Sequence, residues 1–325
     1  MIKSLQRGPT RGVASGRGAP RLAVMRAPLL VLALAPALLL ASTGGSVREP
    51  IDDPRVFARL NAEVTKLASS GKAPLASAER LAQAKRTTTA SVRLLPPSTQ
   101  PLSREEVRAR AAASTVLFGT AFKCDRCPNW HSSMASGVIV HPSGVIATNH
   151  HVAATARGDA MGVLLADGTF LPVIEVLAAR TPQDVALVRV DTQGRRLPAL
   201  PVRSDLPAGA DVVCLSNPDG SFGYFTHGIV SRYSRGTSPV DRSAVWMQVT
   251  CEYAKGSSGA AILDLCGNVV GLVSSTNSVY YSTDKEGDQQ NFQMVRRNCV
   301  PGKAIADLIG EATSPKPAGP APAGK

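Results

Sequence analysis

From residue 115 onward the chain breaks into short β-rich runs, at 115–122, 137–140, 145–148, 161–165, 171–177, 185–190, 211–215, 225–230, 245–249, 260–263, 269–274 and 293–296. Gly, Pro, Asp and Asn turns separate them, and no run is long enough to be a helix of ordinary length. That rhythm restricts the region to an all-β architecture. The 325 residues, 44% of them hydrophobic, suffice for one two-lobed domain with extensions or for two small domains, and exclude a disordered chain.

Three segments among these strands carry chemistry. Lys255-Gly256-Ser257-Ser258-Gly259-Ala260 places a serine in a glycine turn, Thr148-Asn149-His150-His151-Val152 supplies imidazoles, and Asp184-Val185-Ala186-Leu187-Val188 supplies a carboxylate at the start of a strand. A serine hydroxyl is a weak nucleophile at neutral pH. To attack an acyl carbon it needs an imidazole to take its proton and a carboxylate to orient that imidazole. Taken alone, a serine in a glycine turn is ordinary turn chemistry and an aspartate before a strand is an ordinary cap. Their conjunction in the order His, Asp, Ser, at intervals of 33 and 74 positions, points to a nucleophilic triad.

In that order and spacing, 115–309 resembles the trypsin-like peptidases and, within them, the bacterial HtrA/Deg branch. Ser136-Gly137-Val138-Ile139-Val140 and the following hairpin into Ala147-Thr148-Asn149 are similar to that branch's approach to its histidine motif. So are Leu165-Ala166-Asp167-Gly168, Val212-Val213-Cys214-Leu215-Ser216-Asn217-Pro218, Thr226-His227-Gly228-Ile229-Val230-Ser231 and Gln248. The resemblance implies two six-stranded antiparallel Greek-key β-barrels of the chymotrypsin type, with His151 and Asp184 from the first and Ser258 from the second. In this register His151, not His150, is the catalytic histidine. Gly256 and Ser258 are expected to supply the oxyanion-hole amides. Ala260 stands where the family commonly has glycine, and Ser257 where it commonly has Asn or Asp.

For the substrate pocket, the resemblance places Glu252 six residues before the nucleophile, where a carboxylate would favour Arg or Lys. The competing reading has Glu252 facing solvent or paired with Lys255. Cys251 and Cys299 fall in segments that line the pocket in the family, which makes them a candidate bridge, with Cys214 and Cys266 as the remaining pair. Six cysteines in an exported chain fit an oxidising compartment. Cys124-Asp125-Arg126-Cys127, followed by Trp130 and His131, admits a local disulfide, a redox pair, or a Cys-Cys-His metal site short of the fourth ligand a closed zinc site takes. His141 and His227 read as a turn residue and a strand residue.

The ends of the chain differ in kind. Residues 1–45 hold six basic and no acidic side chains and an apolar run at 27–41, shorter than the ~20 residues of a comfortable bilayer span. This is the grammar of a signal peptide, with Met25 as an alternative start and an uncleaved anchor as the rival. Setting those six charges aside lowers the net charge from +12 to +6, and no basic block with interleaved aromatics points to nucleic acid.

Residues 46–113 carry helical periodicity at 54–67 and 75–85, a proline linker, and a capping box at Ser103-Arg104-Glu105-Glu106. They are expected to form a helical extension, acting as propeptide, inhibitory arm or packed support. The trypsin-like domain is expected at 114–310, with a short terminal helix at 304–309. A Pro/Ala-rich tail at 311–325 should be disordered, with no room left for a PDZ domain.

The expectation is an exported, periplasmic or secreted serine endopeptidase acting on protein or peptide, requiring no cofactor or metal. A non-catalytic module of the same fold that binds polypeptide, or an esterase-type acyl hydrolase, is the alternative.

Overall fold

The computed structural model describes residues 50–124, 126–155, 158–236 and 242–310. The leader reading at 1–45, Met25 included, and the tail at 311–325 lie outside the described residues. Three helices come first: α1 (Asp53–Ser69), α2 (Ser77–Arg86) and α3 (Arg104–Ser114). The α3 capping box is formed, with Ser103 Oγ accepting from the Glu106 amide and the Glu106 carboxylate accepting from the Ser103 amide.

Six strands follow as β1 (Thr115–Lys123), β2 (Trp130–His141), β3 (Val145–Thr148), β4 (Ala160–Leu164), β5 (Phe170–Arg180) and β6 (Val185–Val190). They close into an antiparallel barrel in the order β1-β2-β3-β6-β5-β4. The next six are β7 (Asp211–Ser216), β8 (Tyr224–Arg235), β9 (Val245–Val249), β10 (Ala261–Leu263), β11 (Val269–Thr283) and β12 (Gln289–Pro301). They close a second barrel in the order β10-β11-β12-β9-β8-β7. Short helices α4 (His150–Ala153) and α5 (Gly302–Ala306) follow β3 and β12. The two barrels and the helical extension agree with the sequence reading.

Side chains alternate across a strand, so a strand with both faces covered reads as a continuous apolar run. Ile146 of β3 packs inside the first barrel with Phe118, Ile139 and Val188, while its neighbours Val145 and Ala147 face the layer between barrels. On β7, Val212 and Cys214 fill the second barrel and Val213 and Leu215 join that same layer. The interbarrel core therefore fixes the junction at which a cleft can form.

The extension is packed onto the first barrel. Leu60 and Val64 of α1 are buried, and Gly119 of β1 gives them room: a Cβ there would lie 2.8 Å from Leu60 Cδ1. Arg80 of α2 is fully buried and donates to the carbonyls of Thr155 and Gly158 at 3.0 and 3.2 Å. The stretch between α2 and α3 crosses to the second barrel, where Asn268 bonds both the amide and the carbonyl of Ser98.

Five strands, β2, β5, β8, β11 and β12, run well past their expected bounds. β11 and β12 run past the barrel as a two-stranded ribbon, paired out to Thr283 and Gln289. Both faces of that ribbon meet solvent, so the apolar run that marks the barrel portion is missing from its sequence.

Candidate active site

His151 is placed by the end of β3. Asn149 opens the one-turn helix α4, and its side-chain amide donates to the Asp184 carbonyl at 3.0 Å, tying the two segments together. Asp184 sits in the turn before β6 with a left-handed φ of 50°, its amide donating to Thr181 O at 3.0 Å. That conformation turns its carboxylate toward α4. His151 Nδ1 lies 3.0 Å from each carboxylate oxygen, and the His151 amide donates to Oδ1 at 3.1 Å. The Ser274 hydroxyl of β11 donates to Oδ2 at 2.6 Å.

The serine turn is built with equal closeness. The Ser257 amide donates to Ala254 O at 3.1 Å, and Gly259 and Ala260 pair with Val273 at 2.9 and 2.8 Å. Gly259 adopts φ of 84°, and a Cβ there would collide with Ser136 O and Thr148 Oγ1, so only glycine fits. Gly256, at φ of 95°, has its carbonyl held by Ser136 Oγ at 3.3 Å, and Ser136 in turn accepts from Asn217 Nδ2 at 2.9 Å. The Ser136 amide donates to Ser258 O at 2.8 Å. Among the described residues, neither the Gly256 nor the Ser258 amide donates to a protein group.

His151, Gly256 and Ser258 line one cleft of about 200 Å³ with Thr120, Met134 and Lys255. Among the described residues no hydrogen bond joins Ser258 Oγ to the ring of His151. A larger cavity, about 360 Å³, lies against α1 and α3 and contains none of the three residues. His150 points the other way, its Nε2 3.2 Å from Thr181 Oγ1. Burial pulls its pKa below the ordinary value, as does His151, against the pull of Asp184.

The expected pocket residues lie elsewhere. Glu252 is 62% exposed and paired with Arg297, not Lys255, so its carboxylate does not form a buried floor. Cys251 and Cys299 are fully buried in the core of the second barrel, and burial pushes both thiols up to about 12. Cys214 shares that core, where the nearby Cys251 and Cys299 add to the effect of burial in raising its pKa; Cys266 sits apart beside Asp264. No disulfide joins any of the six cysteines, which corrects the expected Cys251–Cys299 and Cys214–Cys266 bridges. The physical reason is packing: the three core thiols act as small apolar side chains. Cys124, Cys127 and His131 do converge, with Cys127 Sγ 3.2 Å from His131 Nε2. His141 and His227 bond Ser143 and Asp211, as a turn and a strand residue do.

Sequence reasoning missed Ser274, Ser136 and Asn217. Ser274 follows the apolar run of β11 by one residue, and only its position beside the pairing of Val273 with the serine turn would have singled it out. No described helix is long and apolar enough to cross a membrane.

The chain is similar to known serine proteases. The trypsin-like peptidase domain model matches residues 135–272. A probable periplasmic serine endoprotease, DegP-like, of Brucella suis is 33% identical over 144 residues, covering 43% of this chain and 27% of that protein. Its counterpart from Pseudomonas fluorescens is 36% identical over 142 residues, 43% and 29% of the two chains. The putative serine protease HhoA of Synechocystis is 29% identical over 161 residues, 48% and 40%. The chain thus spans less than half the length of these relatives. Among solved structures, the HtrA-type protease AlgW with a decapeptide has a TM-score of 0.50 at 23% identity, over 64% of this chain and 66% of that one. Residues 135–272 are thus similar to trypsin-like peptidase domains, and the two barrels share the fold of an HtrA-type protease.

Proposed function

We propose that this protein is an exported serine endopeptidase that cleaves polypeptide through an acyl-enzyme on Ser258. The observation that carries the reading is the grip of Asp184 on His151, with Nδ1 3.0 Å from both carboxylate oxygens, in a ring that shares its cleft with Ser258. A carboxylate at Nδ1 selects the tautomer that leaves Nε2 as the acceptor, which is the form a general base must have.

In the proposed reaction His151 Nε2 takes the Ser258 hydroxyl proton as Oγ bonds to the carbonyl carbon. The oxyanion is received by the Gly256 and Ser258 amides, each such donor contributing roughly 3–4 kcal/mol to transition-state stabilisation. The C–N bond then breaks as His151 returns the proton to the leaving amine. Water, deprotonated by the same imidazole, releases the acyl group and restores Ser258. Asp184 stays ionised throughout and stabilises the imidazolium. The Ser136–Gly256 contact holds the peptide between Gly256 and Ser257 so that the two amides remain available.

Export rests on the leader-like composition of 1–45 and on relatives named periplasmic. Fluorophosphonate labelling followed by casein digestion tests the function. Labelling at Ser258 with digestion, both lost in Ser258→Ala, is expected. Labelling without digestion of any polypeptide would favour an esterase-type hydrolase. An unlabelled, folded chain would favour the non-catalytic polypeptide-binding module.

A further inference from the structure

The β1–β2 hairpin carries a cluster that the peptidase chemistry does not use. Its tip places Cys124, Cys127 and His131 so that one ligand atom from each lies within 4.8 Å of the others. We propose that these three side chains bind a zinc-like divalent cation, the two sulfurs and His131 Nε2 forming a three-ligand clamp whose fourth position is open to solvent. The inference rests on the hairpin alone and not on the peptidase reading.

Three features favour a cation over a fortuitous cluster. First, the donors are two thiols and an imidazole, the set that suits a borderline-soft cation such as zinc, and the two-residue interval between the cysteines is that of zinc-binding loops. Second, the Arg126 amide donates to Cys124 Sγ at 3.4 Å. A backbone N–H aimed at sulfur stabilises the thiolate, which is the form that binds metal. Third, His131 is held in place independently of the sulfurs. Its ring stacks on Phe122 with centroids 5.8 Å apart and an interplanar angle of 23°.

The loop between the ligands is braced as well. Lys123 Nζ lies 5.1 Å from the centre of the Trp130 ring and donates to Pro128 O at 3.1 Å, while the Cys124 amide donates to Asn129 O at 3.4 Å. A disulfide between Cys124 and Cys127 would need none of the histidine's placement.

Binding is balanced by proton release. The two thiols give up their protons to solvent as the sulfurs bond the cation, and neutral His131 contributes a lone pair, so the filled site carries no net charge from cation and thiolates. Past His131, β2 runs on through Ser133, Met134 and Ala135, which line the Ser258 cleft, to Ser136 beneath the serine turn. A filled clamp would therefore pin the rim of the cleft at its outer end.

The test uses the full chain, reduced, stripped with a chelator and titrated with cobalt without oxygen. The expected result is one cobalt per chain with thiolate-to-cobalt charge-transfer absorption, displaced by an equivalent of zinc. Cys127→Ser and His131→Ala should each weaken cobalt binding at least about tenfold, whereas Cys266→Ser, outside the cluster, should leave it unchanged. Absence of the charge-transfer band, with all six thiols shown to be reduced by alkylation in denaturant, overturns the proposal. Recovery of Cys124 and Cys127 as a disulfide from chain isolated in the presence of zinc overturns it too. Should a variant fail to fold, the band in the unmutated chain still decides.

Discussion

Ser274 donates to Asp184 at 2.6 Å, so the carboxylate that holds His151 is itself held by the second barrel. The neighbouring residue, Val273, pairs with Gly259 and Ala260, directly after Ser258. One short stretch of β11 therefore sets both halves of the site in register. A hydrogen bond to a charged group contributes about 1.5–3 kcal/mol. Ser274→Ala should lower kcat by about tenfold, equivalent to about 1.4 kcal/mol. KM should change by less than about twofold, because Ser274 acts through Asp184 and not on substrate. Ser274→Thr should restore most of the rate. Unaltered turnover in Ser274→Ala would remove the residue from the site.

The two adjacent histidines make opposite predictions. His151→Ala should abolish cleavage as completely as Ser258→Ala, with little change in Tm for either, since both side chains border an open cleft. His150→Ala should keep substantial turnover, because its Nε2 is directed at Thr181. An inactive His150→Ala beside an active His151→Ala would reverse the assignment.

His150 also predicts a pH effect on stability. Burial and His151 hold its folded pKa below the ordinary value of 6.5, only partly offset by Asp184. Between the folded and unfolded values the unfolded chain binds the proton more readily, so stability rises with pH across that window. The contribution is complete above the ordinary value and is lost as pH falls through it toward the folded pKa. Thermal unfolding at about pH 5.5 and about pH 7.5 should show a smaller acid loss in His150→Gln than in the unmutated chain. Equal losses would discard the effect.

Much of this was legible in the sequence, for identifiable reasons. His151, Asp184 and Ser258 lie in compact motifs where glycines and β-runs constrain the backbone within a few residues, so local pattern and mutual spacing are enough to single them out. Barrel strands with both faces buried announced themselves as apolar runs. Glu252 stays open in the sequence between pocket and solvent because its partner, Arg297, is distant along the chain and meets it only through the closure of the barrel. The three core cysteines were read as disulfide partners because composition cannot distinguish a bridged thiol from one that simply fills volume. The ribbon past Val273 escaped because it has no buried face to impose a period.

The Glu252–Arg297 pair predicts the outcome of a specificity experiment. Exposed ion pairs contribute only about 0–1 kcal/mol, so Glu252→Ala should change stability by less than about 1 kcal/mol. A substrate-library profile should show the same preference at the cleaved residue before and after the change. A selective loss of cleavage after Arg and Lys would return Glu252 to the substrate pocket.

The final prediction concerns the extension. A chain that starts at Ser103 lacks α1, α2 and the segment joining them to α3. It would expose the surfaces that Leu60, Val64, Leu75 and Ala84 cover, and it would leave Gly119 as an unfilled notch on β1. Burying each of the three large side chains contributes about 1.5–3 kcal/mol, so roughly 6 kcal/mol is at stake. That is comparable with the whole stability of many domains. The loss reaches the site as well, because Arg80 holds the carbonyl of Thr155, a residue that lines the Ser258 cleft. The shortened chain should therefore unfold at a much lower temperature and cleave more slowly than the longer one. If the extension were instead a restraining arm, its removal would leave Tm unchanged and raise the rate. Measuring both quantities on the two chains separates structural support from inhibition.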